Sequence, residues 1–341
     1  MKKIAVVTIV DYNFGNRLQN YAVQEIYKTC GLQPETICLQ KSLLTEFKYF
    51  FRDLIRHDMI YRYRQFNKLI NWSGYSFSDD YSNAYDYYSI GSDQVWNAEW
   101  FDEYPYRKDN FLLSFVAPEK RICMAPSFGI SLLPEKWVPF FRGQLSKFPK
   151  LAVREQSGAD LIRELTGREA KVVIDPTLML EASRWAEIAE SPKKIDISQP
   201  FILTYFLGNQ TDRNRKQISL LAKKNNYAVI NVMDSSMRKT DIGPSEFLYL
   251  IKNARTIMTD SFHACVFSFL FGRPFVVYKR EGDEENLGSR IDTLLKRFDL
   301  ENRRQELLQE NDYFVCDYTV GYQKLERERS DFMQFIIDSL K

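Results

Sequence analysis

Residues 3–40 of this 341-residue chain read KIAVVTIVDYNFGNRLQNYAVQEIYKTCGLQPETICLQ. The apolar run at 3–10 is typical of a strand buried on both faces of a parallel sheet. Residues 17–30 carry apolar side chains at helical spacing, and Gly31 follows as a helix-ending signal. A second strand is predicted at 35–40. The stretch therefore predicts a βαβ unit.

The same alternation continues to the end of the chain. Strands are predicted at 85–90, 121–125, 150–153, 171–174, 201–207, 228–232, 256–259 and 275–278. Helices are predicted at 135–147, 157–165, 212–225, 245–254, 264–271, 289–298 and 321–340. Such alternation is typical of α/β domains built on parallel sheets.

A polar, proline-punctuated linker, SPKKIDISQP at 191–200, separates two such series. The length of the chain also indicates about two domains. We expect an N-terminal Rossmann-like domain at 1–190, a C-terminal Rossmann-like domain at 198–320 and a C-terminal helix at 321–341. Two domains of this kind predict a cleft between them, with ligands bound at the carboxyl ends of the strands.

Residues 43–72 interrupt the first domain with a basic, aromatic segment, LLTEFKYFFRDLIRHDMIYRYRQFNKLINW. Its spacing predicts a helical insertion whose aromatic side chains pack on the sheet. A basic, aromatic amphipathic helix can also lie on a membrane surface. Both interpretations stay open, and His57 within the segment is expected at the surface.

The composition excludes several classes of protein. Lys and Arg number 47 against 45 Asp and Glu, so no strong field is available to recruit nucleic acid. The five cysteines form no C-x-x-C pair, which argues against a disulfide framework and a four-cysteine zinc site. Reduced thiols fit a cytoplasmic location. No apolar run is long enough for a transmembrane helix.

Common cofactor and nucleophile motifs are missing from the sequence. It contains no G-x-G-x-x-G fingerprint, no phosphate-binding G-x-x-x-x-G-K-[ST] loop, no G-x-S-x-G elbow and no D-x-D pair. Two histidines are too few for a histidine-rich metal site. These absences argue against a dinucleotide cofactor, a P-loop nucleotide and a histidine-rich metal site.

His263 is the histidine best placed for chemistry. It follows the strand at 256–259 and lies in the first turn of an apolar helix that Ser261 would cap. A helix N-terminus favours an anion, to which a histidine there could donate a proton. Satisfaction by backbone carbonyls is the alternative.

Cations and hydroxyl-binding groups also follow predicted strands. Arg154, Lys279 and Arg280 could together hold a small molecule with two or three negative charges, although Arg154 could instead pair with Glu155. Asp93 could accept hydroxyls, act as a base or hydrogen-bond its own loop. A polar group suited to hydroxyl recognition follows the first strand: Asn13, Asn16, Arg17 and Gln19.

Taken in order, these loops resemble those of the polysaccharide pyruvyl transferases. The matching segments are NFGN at 13–16 with QNYA at 19–22, GSDQVWN at 91–97, SFG at 127–129, VRE at 153–155 with Ser157, DPTL at 175–178 with Trp185, and SFHA at 261–264. The resemblance spans about residues 5–280. It implies a GT-B-like α/β fold, in which two Rossmann-like parallel-sheet domains face each other across a cleft.

The resemblance also implies an activity. It is the transfer of a pyruvyl group from phosphoenolpyruvate to a sugar of a polysaccharide or its lipid-linked precursor, as in exopolysaccharide biosynthesis. The products are a pyruvate ketal and phosphate, with phosphoenolpyruvate as co-substrate and no metal. If the basic segment binds lipid, this chemistry would occur at the inner face of the membrane.

The expected site combines the resemblance with the residue arguments. The catalytic residues are His263 and Asp93. The donor-binding residues are Arg154, Ser261, Phe262, Lys279 and Arg280. The acceptor-binding residues are Asn13, Asn16, Arg17, Gln19, Ser92, Gln94 and Trp96.

One position departs from the family pattern. Some members carry Arg-Leu-His where this chain has Ser261-Phe262-His263, so an anion-binding arginine is missing. Lys279 or Arg280 could take its place. The alternative activity is a GT-B-like glycosyltransferase, which predicts a nucleotide pocket in the C-terminal domain. A non-catalytic glycan-binding protein is a third interpretation, against which Arg154 and His263 argue.

Overall fold

The computed structural model describes residues 1–38, 57–233, 242–280 and 288–341. The chain forms two compact units, neither of which is continuous in sequence. Of the described residues, unit 1 contains 1–38, 67–180 and 326–341. Unit 2 contains 57–66, 181–233, 242–280 and 288–325.

Unit 1 is built on a five-stranded parallel sheet. Its strands are β1 Lys3–Val7, β2 Gln33–Cys38, β3 Trp72–Ser76, β4 Tyr87–Ile90 and β5 Arg121–Cys123, in the order β3-β2-β1-β4-β5. Two short strands, β6 Ala152–Val153 and β7 Lys171–Val172, form a separate parallel pair. The central strand β1 is buried from Ile4 to Val7, as its continuous apolar run predicts.

Unit 2 has a four-stranded parallel sheet. Its strands are β8 Phe201–Tyr205, β9 Ala228–Asn231, β10 Thr256–Thr259 and β11 Phe275–Val277, in the order β11-β10-β8-β9. Parallel strands need crossover connections, and helices supply most of them in both units.

The helices, in chain order, are α1 Phe14–Thr29, α2 His57–Asn67, α3 Tyr106–Phe111, α4 Val138–Leu145, α5 Gln156–Thr166, α6 Ala182–Glu187, α7 Asp212–Asn225, α8 Pro244–Asn253, α9 Phe262–Leu270, α10 Gly288–Phe298 and α11 Thr319–Ser339. Among the described residues, none is long and apolar enough to cross a bilayer. Large aromatic side chains fill the two cores, such as Trp96 beside Phe128 in unit 1 and Trp185 beside Phe267 in unit 2.

The predicted helical insertion at 43–72 extends one residue too far at its C-terminal end, where the structure has a strand. Trp72 begins the edge strand β3, which pairs with β2. In α2, the side chains of Ile60, Tyr63 and Phe66 are buried, so the apolar face of this helix packs on protein. The rest of the segment, 43–56, lies outside the described residues.

The division of the chain also departs from the predicted domains 1–190, 198–320 and 321–341. Helix α2 belongs to unit 2, where Arg62 forms a 2.9 Å ion pair with Glu246. Residues 326–341 belong to unit 1. Arg329 anchors them there, because its guanidinium donates to the carbonyls of Leu178 at 2.7 Å and Leu180 at 2.9 Å.

Candidate functional site

The loop after β4 places Asp93 at the carboxyl edge of the unit 1 sheet. Gly91 starts this loop against Thr8, where an added Cβ would lie 2.7 Å from the Thr8 Cβ. Asp93 itself has φ 75°, a left-handed conformation that is uncommon outside glycine. Its Oδ1 accepts the backbone N–H of Gln94 at 2.8 Å, and such a local hydrogen bond helps Asp to adopt this conformation.

Arg154 joins two carboxylates from different loops. Its Nη2 lies 3.2 Å from Asp93 Oδ1, and its Nη1 donates to Asp175 Oδ2. The other Asp175 oxygen accepts from the backbone and hydroxyl of Thr177 at 2.9 and 2.6 Å. The Asn16 amide donates to Asp93 Oδ2. We call Asn16, Asp93, Arg154, Asp175 and Thr177 the Asp93 cluster.

The Asp93 cluster is rich in carboxyl groups. Burial alone would lower the pKa of Arg154, but Asp175 and Asp93 outweigh it and raise that pKa above its usual value. Glu155 also adds to this effect, and its buried carboxylate accepts the Phe128 N–H at 2.8 Å. One guanidinium is therefore surrounded by three carboxyl groups.

Gln94 and Ser127 border the Asp93 cluster. The Gln94 amide packs on Gly129, where an added Cβ would lie 1.9 Å from its Nε2. Ser127 is linked to the same loop, since its N–H donates to the Asp93 carbonyl at 2.8 Å. Gln94 Nε2 and Ser127 Oγ are buried and have no hydrogen-bond partner among the residues that the structure describes. Both atoms are suited to a hydroxyl of a ligand.

Trp96 corrects the predicted acceptor-binding set. Its side chain has no exposed surface, and its indole N–H donates to the Phe111 carbonyl at 2.8 Å. Its ring packs at a tilt against Phe128 and edge to face against Phe148 in the core of unit 1. An aromatic residue in a motif can thus be a packing residue, and Trp96 is not available to contact a sugar.

Other predicted acceptor residues support the loops around Asp93. Asn13 caps α1, since its side chain accepts the Gly15 N–H at 2.9 Å. Gln19 is fully buried and donates to Thr8 Oγ1 at 2.8 Å. Ser92 is also buried and donates to Asp175 at 3.1 Å. Arg17 lies with its guanidinium 5.5 Å from the Trp72 ring centroid.

Three residues of this region received no role in the sequence analysis: Ser127, Asp175 and Thr177. Asp175 was visible as a carboxylate directly after the strand at 171–174, and Thr177 follows it at the spacing of a local side-chain cap. The link from Asp175 to Arg154 had no local signal, because 21 residues separate them.

In unit 2, Asp260 joins the loops that follow three strands. Its carboxylate accepts the N–H groups of Leu207 at 2.7 Å and Gly208 at 2.8 Å, and the Nε of Arg280 at 3.0 Å. Gly208 is required by this packing, since an added Cβ would lie 2.3 Å from Arg280 Cγ. We call Leu207, Gly208, Asp260 and Arg280 the Asp260 cluster.

His263 lies in the first turn of α9, next along the chain from this cluster. Ser261 is the N-cap residue in extended conformation, and its N–H donates to Thr259 Oγ1 at 2.9 Å. His263 is 7% exposed. Its ring packs edge to face against the Phe262 ring, with 5.3 Å between the ring centroids. The first N–H groups of a helix have no intrahelical acceptor and favour an anion.

The predicted donor cations differ in position. Arg280 is held by Asp260, with 20% of its side chain exposed. Lys279 extends into solvent, with 82% exposure and Glu306 at 3.9 Å, so the structure does not bring it to the Asp260 cluster. Arg290 was missed. Its guanidinium lies 5.9 Å from the Phe262 ring centroid, and nothing in the sequence of α10 singles it out.

A family model described as polysaccharide pyruvyl transferase matches residues 13–281. No curated protein sequence matches the chain. The UDP-GlcNAc 2-epimerase of Neisseria meningitidis, bound to UDP-GlcNAc, is 12% identical with a TM-score of 0.51, over 100% of this chain and 99% of that one. This likeness confirms the predicted fold class, two Rossmann-like parallel-sheet domains of the GT-B-like type.

Weaker structural likenesses exist to two further proteins. The Methanocaldococcus jannaschii UDP-GlcNAc 2-epimerase, in complex with UDP-GlcNAc and UDP, is 13% identical with a TM-score of 0.49 over 96% of this chain and 99% of that one. Acinetobacter baumannii MurG is 9% identical with a TM-score of 0.41 over 99% of both chains.

Proposed function

This chain belongs to the polysaccharide pyruvyl transferase family, and we propose that it transfers the pyruvyl group of phosphoenolpyruvate to a saccharide as a ketal, with release of phosphate. The observation that supports this most is at the carboxyl edge of the unit 2 sheet. There, His263 lies in the first turn of α9, three residues after Asp260, which binds Arg280. An anionic enol ester needs an acid that protonates it and groups that bind its negative charges. His263 is such an acid, and the N-terminus of α9 and Arg280 are such groups.

The reaction needs one acid and one base. A proton added to C3 of phosphoenolpyruvate makes C2 electrophilic, and two hydroxyl oxygens of the sugar then bond to C2 while the bond from C2 to the phosphate oxygen breaks. Of the two hydroxyl protons lost, one balances the new C3–H bond and the other leaves with phosphate. We propose that His263 donates the C3 proton, a role worth about 10²–10⁴-fold in rate.

We propose that the unit 2 groups bind the donor. The phosphate and carboxylate of phosphoenolpyruvate need hydrogen-bonding N–H groups and positive charge. The first N–H groups of α9 and the Arg280 guanidinium supply them. Ser261 stands where some relatives carry an arginine, so the positive charge must come from elsewhere. We propose that Arg290 supplies it, because its guanidinium lies 5.9 Å from the centroid of the Phe262 ring.

We propose that the acceptor sugar binds in unit 1. Asp93 is the carboxylate at this sheet edge, and the buried amide of Gln94 and hydroxyl of Ser127 are neutral groups that bind hydroxyls. A sugar of a polysaccharide or of its lipid-linked precursor presents such hydroxyls. The apolar face of α2 is covered by protein, and flotation with anionic liposomes tests whether the basic segment 43–72 also contacts lipid.

Thermal unfolding with candidate donors tests the proposed function. Wild type and His263→Asn are compared with phosphoenolpyruvate and with UDP-GlcNAc, and phosphate release is then followed with a panel of sugar acceptors. A ligand at 100 times its dissociation constant stabilises the folded state by about 2.7 kcal/mol. Ser268→Ala, in the same helix, is the matched control for substitution in α9.

The expected result is stabilisation by phosphoenolpyruvate in both wild type and His263→Asn, with phosphate release only in wild type. Stabilisation by UDP-GlcNAc and not by phosphoenolpyruvate would instead favour the glycosyltransferase. Phosphoenolpyruvate binding without phosphate release, over a broad acceptor panel, would contradict the transfer reaction.

A further inference from the structure

We propose that unit 1 holds a second saccharide subsite, formed by Asp11, Trp100, Tyr104 and Arg107. We call these four residues the Arg107 cluster. The subsite binds a neighbouring sugar of the acceptor, so the acceptor is an oligosaccharide and not a single sugar. The inference rests on the proposed function and deepens it, because it names the class of acceptor.

The Arg107 cluster lies at the carboxyl edge of the unit 1 sheet. Asp11 follows β1, and the other three members follow β4, which pairs with β1 in parallel. The two segments meet where Arg107 Nη2 lies 3.5 Å from Asp11 Oδ2. The Asp93 cluster is at the same edge, since its Asn16 belongs to the helix that follows the Asp11 loop. A chain of sugars that begins at Asp93 therefore has a second set of groups along the same edge.

Three aromatic rings hold the guanidinium of Arg107. Its central carbon lies 4.1 Å from the ring centroid of Tyr104, 5.6 Å from that of Trp100 and 5.8 Å from that of Phe111. Arg107 is 7% exposed, and its Nε has no hydrogen-bond partner among the residues that the structure describes. A buried polar atom without a partner is uncommon in native proteins, so the rings orient this guanidinium without satisfying its N–H groups.

Asp11 and Arg107 together fit a sugar hydroxyl. A charge-assisted hydrogen bond between a guanidinium and a carboxylate is normally about 2.7–2.9 Å long, so the 3.5 Å between these two groups is a loose contact. The side chain of Asp11 is 63% exposed and is open to solvent. A hydroxyl both donates and accepts, so it can donate to Asp11 and accept from Arg107. The two charges are opposite, which favours a neutral ligand over an anion.

Trp100 and Tyr104 supply an apolar surface beside this pair. Both side chains are half-buried, in contrast to Trp96 of the same segment, which has no exposed surface. Partly exposed aromatic rings beside a few polar groups are the usual lining of a small-molecule site. The C–H face of a sugar ring can cover such a surface while its hydroxyls reach Asp11 and Arg107.

The test compares the binding of oligosaccharides and monosaccharides in the absence of donor. A glycan array of neutral saccharides identifies the oligosaccharide that wild type binds best. Titration calorimetry then gives its dissociation constant and that of its terminal monosaccharide. The oligosaccharide is expected to bind at least tenfold more tightly. Equal affinities, or no binding to any glycan of the array, overturn the proposed subsite.

Variants assign the additional affinity to the Arg107 cluster. Trp100→Ala and Asp11→Ala are expected to raise the oligosaccharide dissociation constant at least fivefold and to leave that of the monosaccharide within twofold. Because Asp11 is largely exposed, Asp11→Ala is expected to fold even if Trp100→Ala does not. Asp102→Ala is the matched control, since Asp102 is 58% exposed, pairs with Lys136 and lies outside the cluster. Unchanged oligosaccharide affinity in Asp11→Ala overturns the proposal.

Phosphate release separates this proposal from the proposed function. If wild type binds the oligosaccharide through the Arg107 cluster but releases no phosphate from phosphoenolpyruvate, the proposed function fails and the subsite stands. If wild type releases phosphate with the same KM for monosaccharide and oligosaccharide, the subsite fails and the proposed function stands. An oligosaccharide KM at least tenfold lower than the monosaccharide KM supports both.

Discussion

In each of the two units, an aspartate that follows a parallel strand binds an arginine. The two pairs differ in the charged and polar groups around them. In unit 2, the Asp260 carboxylate binds Arg280 and also accepts two backbone N–H groups. In unit 1, Arg154 meets Asp93 and Asp175, with Glu155 as a third carboxyl group nearby.

The difference teaches that the same strand-end geometry can produce two kinds of ligand preference. The acidic, partly exposed Asp93 favours neutral hydroxyls, since a like charge about 4 Å away would cost about 4 kcal/mol at the effective dielectric of a protein surface. The Asp260–Arg280 pair stands beside the start of α9, where an anion is expected to be favourable.

The largest expected effect concerns His263. His263→Asn should lower phosphate release by about 10²–10⁴-fold at saturating donor, because the variant cannot donate the C3 proton. Single-turnover phosphate release measures this, with Ser268→Ala as the control. A loss of less than tenfold would mean that His263 is not the proton donor and that unit 2 does not supply the acid of the reaction.

Glu246 tests whether one guanidinium keeps a buried carboxyl ionised. Burial raises the pKa of Glu246 to about 7, although Arg62 opposes the shift. Between about pH 4.5 and 7 the folded state then holds a proton that the unfolded chain has lost, so stability falls as pH rises through this range and levels off above it. The fall should be at most about 3 kcal/mol.

Urea unfolding at pH 5 and pH 8 measures this fall. Glu246→Gln should flatten it, and Glu190→Gln, whose side chain is 61% exposed beside Arg62, should not. If Glu246→Gln keeps the full pH dependence, Arg62 suffices to keep the buried Glu246 carboxyl ionised.

Gly129→Ala disturbs the unit 1 site alone. The added Cβ would lie 1.9 Å from Gln94 Nε2, at a residue with φ 64°. The Gln94 amide must move, so the acceptor KM should rise about tenfold, an energy of about 1.4 kcal/mol. The donor dissociation constant should not change. A higher donor constant would mean that the unit 1 site contacts the donor.

Gly208→Ala is the matching change in unit 2. Its Cβ would lie 2.3 Å from Arg280 Cγ, so displacement of this side chain should raise the donor dissociation constant about tenfold. The acceptor KM should stay the same. Gly143→Ala in α4 is a control for both, because no atom of the described residues lies within 4 Å of its Cβ. That variant should gain about 0.5–1 kcal/mol in stability.

The smallest expected effect is at Lys279. Lys279→Ala should change donor affinity less than twofold and stability by less than about 0.5 kcal/mol, since the side chain is 82% exposed. Isothermal titration with phosphoenolpyruvate compares it with Arg280→Ala. Equal losses in the two variants would show that long-range charge, and not the Asp260 contact, binds the donor.

Sequence periodicity predicted the elements with strong patterns. The buried run of β1 and the apolar stripe of α1 are of this kind. Strand β3, WSGYS, was missed because it is a half-exposed edge strand with a glycine at its centre. Helix α3 has only six residues, too few for a periodic signal.

The sequence predicted which strand ends carry the candidate residues, but not how their side chains are oriented. Lys279 and Arg280 are adjacent cations after β11, and nothing in the sequence distinguishes which of them meets Asp260. Arg154 showed its charge in the sequence, whereas its partner Asp93 lies 61 residues away. Trp96 is a further example, since the motif at 91–97 does not show which of its side chains are buried in the core.

The return of residues 326–341 to unit 1 has a consequence for biosynthesis. Domains generally fold as units while the chain emerges from the ribosome. Here the residues that Arg329 fastens to Leu178 and Leu180 are made after all of unit 2. Unit 1 therefore reaches its final form only after unit 2 has been translated, and cutting the gene at residue 180 would give a fragment that lacks one of its own pieces.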